Sequence, residues 1–487
     1  MRKCLIMRFI NIHKNFIIFG AGYLGETCCM FLKSNNRNIL FFVDNDSSKW
    51  GKEFKGVSIK QPIDIKKTNP NDTIIIIASA QYEREIEDQL MYTGIYLKYQ
   101  CIRWKDFGMM EIKPYYVQED KSIHDDYPDT NGCGEILYDF QIFSMQNNGG
   151  ISRYFAELIK RVAKNSNVDF FEGYNKNNNT LIREKNIFNR YYKKNLNNIS
   201  LYKEILNCSL LHSFVGNRKY KVYHPTYYRD YGLENSKACI ITVHDMIYEL
   251  YNLDQRTILE KKNMIYKSDG IIVVSENTKS DLINLYNINE DKIQVIYEAN
   301  SLSTVVTEPR IIKEPYILYV GNRDGYKNME TLLYAFARSR YKKDLSLVFF
   351  SGGELTQNEK HLLVHLKVEK RVKYMSGNDD ILANLYKYAE VFVYPSLYEG
   401  FGLPVLEAMH YGTPVIVSDK ASLPEVAGDA AVYFNPISVD ELEECINSLL
   451  DDREQRERIK QAGILQEKKF SWDKCADEHI KFYQKFY

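Results

Sequence analysis

The chain repeats one pattern along its length: a short apolar run rich in β-branched and aromatic residues, a turn, then a stretch with apolar residues three and four apart. In the first hundred residues the runs are FIIFG, ILFFVD and TIIIIAS, alternating with the helical FGAGYLGETCCMFL up to about Lys33 and YEREIEDQL. Runs of this length, apolar on both faces, predict strands of a parallel sheet covered on both sides by helices. From Gly108 to about Gly134 the pattern dissolves into EIKPYYVQEDKSIHDDYPDTNGCG, read as a linker.

The alternation resumes with ILYDFQIFSM, the turn Gln146–Gly150 and the helical ISRYFAELIKRV, and continues through KVYHPTYY, CIITVHD, GIIVVS and NTKSDLINLY. Between Asn175 and Asn198 an Asn/Lys/Tyr mixture interrupts it, most simply a long surface excursion. After Pro309 comes the clearest series, YILYVG, METLLYAFARS, LSLVFFSGG, ILANLYKYA, VFVYPS, PVLEAMHYG and PVIVS, which predicts a doubly wound α/β unit. The final segment places Trp472, Ala476, His479, Tyr483 and Phe486 on one helical stripe that needs a domain surface to lie on. The expected division is residues 1–107, a linker 108–133, then 134–308 and 309–487.

Length agrees, since 487 residues exceed one ordinary core. Composition narrows the classes: 45% hydrophobic and 26% charged residues, with 64 acids against 64 bases, exclude a disordered acidic chain and a general nucleic-acid surface. The nine cysteines show no C-x-x-C and no metal-ligand spacing, which predicts reduced thiols, a cytoplasmic setting and no zinc site. Arg8, His13 and Lys14 interrupt any signal-peptide core, and no run reaches about eighteen apolar residues.

The richest chemistry lies in PSLYEGFGLPVLEAMHYGTPVIVS, Pro395 to Ser418. Gly400, Phe401, Gly402 and Leu403 form an open loop between a strand and a helix, Pro404 suits the first helical turn, and Gly412 suits its end. Such a loop offers backbone amides and a helix N-terminus to an anionic or polar ligand. Glu399 and Glu407 flank it and can reach ligand diols; read alone, they also fit solvated surface acids. In YVGNRDGYKNMETLL, the strand ends at Gly321, Arg323 and Lys327 occupy the following loop, and Asn328 can cap the next helix. Two cations there form a diphosphate clamp, a fork plus a point charge, or else are exposed loop residues.

With these residues in view, the segment YEGFGLPVLEAMHYGTPVIVS resembles the E-x7-E region of glycosyltransferase family 4, a retaining family of GT-B fold. NNGGISRYFAELIK, YHPTYY, ITVHDMIYEL, IIVVSENTKSDL, KIQVIYEANS, YVGNRDGYKNMETLL and SLPEVAGDAAVYF extend the resemblance over about residues 136–487. GGISRYF, HPTYY and YVGNR-x-GYKN are most similar to the bacterial mannosyltransferase B-like branch. The resemblance implies an α/β GT-B architecture, two Rossmann-like domains facing a cleft, here preceded by a small extra Rossmann-like domain.

By residue, it implies that Glu407 binds the nucleotide ribose, Glu399 contacts the donor sugar, Arg323 and Lys327 hold the diphosphate, and His244 lies near the sugar ring. Gly149 and Gly150 form the turn facing donor and acceptor. Where many members end in Asn-Gly, KIQVIYEANS has Glu298 and Ala299, so that loop departs from the pattern. Retention by same-face attack follows, with the leaving phosphate taking the acceptor proton and Glu399 positioning rather than attacking. Negative charge developing on the departing diphosphate suits Arg323, Lys327 and helix amides. No divalent metal is then required, and no Asp-x-Asp lies in a suitable loop. The resemblance implies a nucleotide-hexose donor, GDP-mannose favoured and a UDP-sugar open, and as acceptor a saccharide or polyprenyl-linked oligosaccharide of surface polysaccharide assembly.

Other features stay local. His224 in YHPTYY reads as structural, and Ser422 to Glu425 as a capping box. IFNRYYKKN, Ile187 to Asn195, interleaves cations with aromatics and reads as a solvated loop, with contact to an anionic membrane as the sharper alternative. Gly20, Gly22 and Gly25 have the G-x-G-x-x-G spacing, and Asp44 stands where a ribose-binding acid would. They predict a strand, turn and helix with a phosphate cradle in an accessory module of the kind attached to polysaccharide-assembly proteins. A nicotinamide-dependent oxidoreductase or epimerase centred there lacks a Tyr-x-x-x-Lys or comparable hydride-transfer set. A non-catalytic nucleotide-sugar sensor is the third reading.

Overall fold

The computed structural model describes residues 15–79, 82–107, 133–146, 149–175, 187–195, 203–231, 235–302, 304–323, 325–350 and 353–487. Most of the expected linker, Asn147 and Asn148 of the glycine turn, and much of the Asn/Lys/Tyr stretch lie outside these residues. The chain divides into two compact units, one of residues 1–148, 167–180 and 184–239, the other of 149–166, 181–183 and 240–487.

In the first unit, β1 (Asn15–Phe19), β2 (Asn38–Val43), β3 (Glu53–Phe54), β4 (Val57–Lys60), β5 (Thr73–Ile77) and β6 (Gln100–Arg103) form a sheet in the order β3-β4-β2-β1-β5-β6. All its pairings are parallel except β3 with β4. The isoleucines of β5 are fully covered on both faces, and burying each contributes roughly 1.5–3 kcal/mol. That continuous burial is why the run does not alternate with polar residues.

The second sheet holds β7 (Cys133–Tyr138), β8 (Val168–Asn175), β9 (Arg190–Asn195), β10 (Lys219–His224), β11 (Ser236–Val243), β12 (Gly270–Val273) and β13 (Ile293–Val295), in the order β13-β12-β11-β10-β7-β8-β9. The division between the units falls within β11, which pairs with β10 up to Cys239 and with β12 from Ile240. Strand β9 corrects the surface-loop reading of Ile187–Asn195. It pairs in parallel with β8, and Tyr192 stacks on Phe171 at 5.1 Å. Phe188 and Tyr192 are buried, so these aromatics serve the core and not a membrane interface.

Within the first unit, the first sheet's helices and β7, β8 and β10 share one apolar cluster. Trp104 packs edge-on against His212 at 5.9 Å, and Arg229 lies 4.4 Å over the Tyr23 ring.

The third sheet lies wholly in the second unit: β14 (Tyr316–Val320), β15 (Ser346–Phe350), β16 (Val372–Met375), β17 (Val391–Tyr394), β18 (Val415–Ser418) and β19 (Val432–Phe434), all parallel, in the order β16-β15-β14-β17-β18-β19. Its two faces are covered by separate apolar clusters. The helix Trp472–Gln484 buries Trp472, Ala476, His479 and Tyr483 as its stripe predicts, with Cys475 and Phe482 widening the face, whereas Phe486 falls beyond the helix end and is half-buried. It lies on the helix Gly150–Asn165, where Arg161 bonds Asp473 at 2.7 Å.

Candidate active site

Strand β17 delivers the glycine loop, and sterics fix where the loop goes. A Cβ on Gly400 would collide with the carbonyl oxygen of His244 and stand 2.9 Å from the Asp245 Cβ. Gly402 adopts φ +113°, a conformation costly for any other residue. The Ser422 hydroxyl donates to the carbonyls of Glu399 (2.9 Å) and Phe401 (2.8 Å), and the Thr278 hydroxyl donates to that of Gly400 (3.3 Å). Phe401 packs edge-on against Phe470 at 5.7 Å, and Leu403 opens the helix Leu403–His410. The expected Ser422–Glu425 capping box does not form. Ser422 has helical dihedrals and spends its hydroxyl on the loop, while Glu425 accepts from the amides of Glu276 (2.8 Å) and Asn277 (3.4 Å).

The loop acid and one cation are partners. Lys327 donates to both carboxylate oxygens of Glu399 at 2.7 and 3.0 Å and to the Tyr394 hydroxyl at 3.1 Å. Burial pulls the Lys327 ammonium down, but the Glu399 carboxylate beside it prevails and holds it well above the ordinary lysine value. Arg323 is held in a different place, bonding Glu359 at 2.6 Å and the carbonyls of Gly353 and Glu354 at 3.0 Å. Asn328 stands at the start of the helix Met329–Arg338 but, with φ +56°, does not cap it. Its amide instead donates to the carbonyls of Pro395 (2.9 Å) and Pro436 (2.7 Å), tying the cation loop to the glycine loop. Gly321 has φ +132°, and the space its Cβ would fill is open.

Glu407 is buried within the helix Leu403–His410 and accepts from the Tyr386 hydroxyl at 2.9 Å. Burial raises its carboxyl above the usual range, opposed by Arg153 and by the Tyr386 bond. Arg153 belongs to the helix that Gly149 precedes and Gly150 opens; it bonds Asp379 at 2.7 Å. A Cβ on Gly150 would meet nothing within 4 Å, so this helix start also faces open space.

His244, at the end of β11, pairs through Nδ1 with Glu298 at 3.2 Å, so the residue that departs from the common pattern is a partner of this histidine. The Tyr154 ring packs edge-on against His244 at 4.7 Å. Its hydroxyl meets His479 Nε2 at 2.7 Å and the Thr242 hydroxyl at 3.2 Å. His479 Nδ1 lies 2.7 Å from the Cys475 carbonyl, which can only accept. That nitrogen therefore carries the proton, and Nε2 accepts from Tyr154. Burial pushes His479 down to about 4, in keeping with a neutral ring. His224, read as structural, is fully buried against Tyr138.

In the first sheet, the glycine spacing is a packing solution. A Cβ on Gly25 would strike the Gly20 carbonyl, one on Gly20 would lie 2.7 Å from the Ala78 carbonyl, and Gly22 faces open space. The Asp44 carboxylate accepts from the Ala21 amide at 2.9 Å, inside the turn, and from Lys49 at 3.0 Å. It is thereby engaged in holding the turn.

Sequence reasoning missed Arg153, Asp379, Glu359, Tyr386, Tyr394 and Tyr154. Arg153 had a signal, three residues beyond Gly150 in GGISR; the tyrosines lay in runs that read as core.

Two parallel α/β sheets of this kind, with a glycine loop ending on paired acid and cation, define a GT-B protein, and solved structures agree. Sucrose-phosphate synthase from Thermosynechococcus elongatus superposes with a TM-score of 0.58 at 21% identity, over 73% of this chain and 98% of that one. Anabaena HepE in complex with UDP gives 0.55 at 16%, over 72% and 100%. Residues 148–299 match the family Glycosyltransferase Family 4, residues 307–466 Glycosyl transferases group 1, and residues 12–99 the C2185-like N-terminal family. The chain is similar to O-antigen chain mannosyltransferase B of Escherichia coli, 33% identical over 55% of this chain and 75% of that protein. It is also similar to the MMP alpha-(1->4)-mannosyltransferase of Mycolicibacterium hassiacum, 31% identical over 46% and 56%. The chain belongs to glycosyltransferase family 4.

Proposed function

We propose that the protein is a retaining hexosyltransferase that moves mannose from GDP-mannose to a saccharide or lipid-linked acceptor in surface polysaccharide assembly. The observation that carries this reading is the contact of Lys327 with Glu399, at the mouth of a glycine loop that runs against the His244 backbone. Glu407 takes the ribose hydroxyls, Glu399 the donor sugar, and Lys327 and Arg323 the diphosphate, with amides of Gly400, Phe401, Gly402 and Leu403 and the open face at Gly321 beside them. Gly149 and Gly150 border the sugar and the acceptor. The relatives' names support mannose, and an UDP-sugar is the alternative donor.

In the reaction the C1–O bond to the diphosphate breaks and the acceptor oxygen bonds C1 on the same face, its proton passing to the departing phosphate oxygen. The diphosphate gains charge as C1–O lengthens, so Lys327 and Arg323 bind it more strongly in the transition state than in the ground state. Released from part of its pairing with Lys327, Glu399 accepts from sugar hydroxyls. His244, steadied by Glu298 and Tyr154, borders the ring. These cations supply the charge a divalent metal would otherwise provide, so turnover is expected without one. A lipid-linked acceptor would bring the protein to the inner face of the membrane.

Incubating the protein with GDP-mannose, UDP-sugars or NAD, with saccharide acceptors and with EDTA, tests this. Expected are transfer from GDP-mannose and an α-linkage by NMR of the product. Transfer from UDP-sugars alone would replace the donor, an inverted anomer would overturn retention, and thermal stabilisation by NAD with no sugar transfer would overturn the class.

A further inference from the structure

The first sheet carries two adjoining cavities that the transfer site does not use. One, of about 400 Å³, lies between the loop after β2, the turn after β4 and the helix Glu83–Tyr92. Asn45, Trp50, Gln61, Ile63, Gln89 and Thr93 contribute to its lining, and none of the lining side chains is ionisable. The second, of about 700 Å³, shares Trp50 and Gln61 with the first. A volume of several hundred Å³ with a few convergent polar groups on an apolar floor is the form of a small-ligand site.

Three observations select the ligand. Trp50 is 39% exposed, yet it is not loose: its indole nitrogen donates to the Asp44 carbonyl at 2.7 Å, which fixes the ring where it borders both cavities. Asn45 and Gln89 bond each other reciprocally, Nδ2 to Oε1 at 2.9 Å and Nε2 to Oδ1 at 3.1 Å. Each amide keeps a second N–H and a second carbonyl lone pair, so the pair presents donors and acceptors side by side in a fixed plane. Finally, the smaller cavity has no charge, and in the larger one Lys67 is neutralised by Asp64 at 2.6 Å while Lys60 lies over the Phe41 ring at 4.4 Å.

A flat aromatic face matches the C–H face of a pyranose, and amide donor–acceptor pairs match vicinal hydroxyls. The uncharged lining of the smaller cavity disfavours a phosphate-bearing ligand there, and the larger one keeps a single net charge, that of Lys60. We propose that this module is a carbohydrate-binding site for a neutral oligosaccharide, one sugar in each cavity with Trp50 between them. It rests on the saccharide-acceptor reading above in one respect: the bound chain is the acceptor glycan.

The protein has three tryptophans, and Trp104 and Trp472 are buried, so indole emission on sugar binding reports Trp50. The full chain is titrated with mannotetraose, maltotetraose, GDP and UDP, followed by fluorescence and by saturation-transfer NMR. Expected is saturable binding of a tetrasaccharide, weakened about tenfold or more in Trp50→Ala and less in Trp50→Phe, as for loss of an aromatic contact worth about 1.4 kcal/mol. Asn45→Ala with Gln89→Ala weakens binding again. Transfer to a monosaccharide acceptor stays unchanged in Trp50→Ala, while the KM for a long acceptor rises. Absence of saturable tetrasaccharide binding by the folded wild-type chain overturns the proposal, as does a Trp50-dependent response to GDP or UDP alone. Because binding is read without turnover, failure of the transferase reading leaves this test decisive.

Discussion

Gly400 sits against the backbone carbonyl of His244, with no room between them for a methyl group. The obstacle is backbone and cannot swing aside, so Gly400→Ala must displace the whole loop. Overpacking of this kind costs about 1–3 kcal/mol. The variant is expected to melt several degrees lower and to lose most transfer activity, whereas Gly150→Ala, which meets open space, keeps its melting temperature. Thermal unfolding and initial rates on both variants check this.

Lys327 and Glu399 cannot be removed one at a time without consequence. Either single change leaves a buried partner uncompensated, at a cost of about 3–5 kcal/mol. Lys327→Met is therefore expected to destabilise more than the double variant Lys327→Met, Glu399→Gln, although both are inactive. Denaturant unfolding of the two singles and the double measures the coupling, and strict additivity would contradict the pairing.

Arg323 is oriented by Glu359, so that acid is expected to influence donor binding without touching the donor. Glu359→Gln removes a charge-assisted bond worth about 1.5–3 kcal/mol. The donor KM should rise about tenfold or more with the acceptor KM unchanged. Arg323→Lys, which lacks the fork, should be at least as impaired.

Glu407 is held above the ordinary carboxyl value by burial. The folded state therefore keeps its proton to higher pH than the unfolded one, and ionising it costs stability above the folded value. Glu407→Gln, which still accepts from Tyr386, is expected to raise the melting temperature at pH 7 while losing donor binding. That gain should shrink as the pH falls through the folded value and vanish below 4.5, where the carboxyl is protonated in both states. Melting curves across pH 4–8 give the answer.

His479 works in the opposite direction. Its folded value, lowered from 6.5 to about 4, means that stability present above pH 6.5 is lost as the pH falls through that window. The loss amounts to about 3 kcal/mol at the acid end. His479→Gln is expected to flatten this part of the pH–stability profile. His479→Leu, which also removes the titrating ring but offers Tyr154 no acceptor, should lower kcat more than it raises the donor KM, because the bond that steadies Tyr154 against His244 is lost.

What the sequence made legible was whatever depends on neighbours along the chain. The isoleucine run of β5, the loop of Gly400 and Gly402 and the stripe on Trp472–Gln484 follow from periodicity and turn chemistry. Partners depend on folding: Lys327 lies 72 residues from Glu399, and Arg153 lies 226 from Asp379. Asp44 is a further case, since its place about twenty residues after the glycines is visible in the sequence while the bond of its carboxylate to the Ala21 amide is not. At β9, polar composition concealed a strand because its buried Tyr192 sits among Arg, Lys and Asn. At Ser422 the local signature was present, but the glycine loop competed successfully for the hydroxyl.

The bond between Tyr154 and His479 joins residues 325 positions apart. At ribosomal speeds of about 5–20 residues per second, the tyrosine is made roughly 15–60 s before its partner. Only over the last 72 of those positions, from Glu407 to His479 and about 4–14 s, does a nascent chain carry every residue proposed to bind the donor without the helix that braces His244. Premature turnover by an incomplete polypeptide is thus discouraged by the order of synthesis itself.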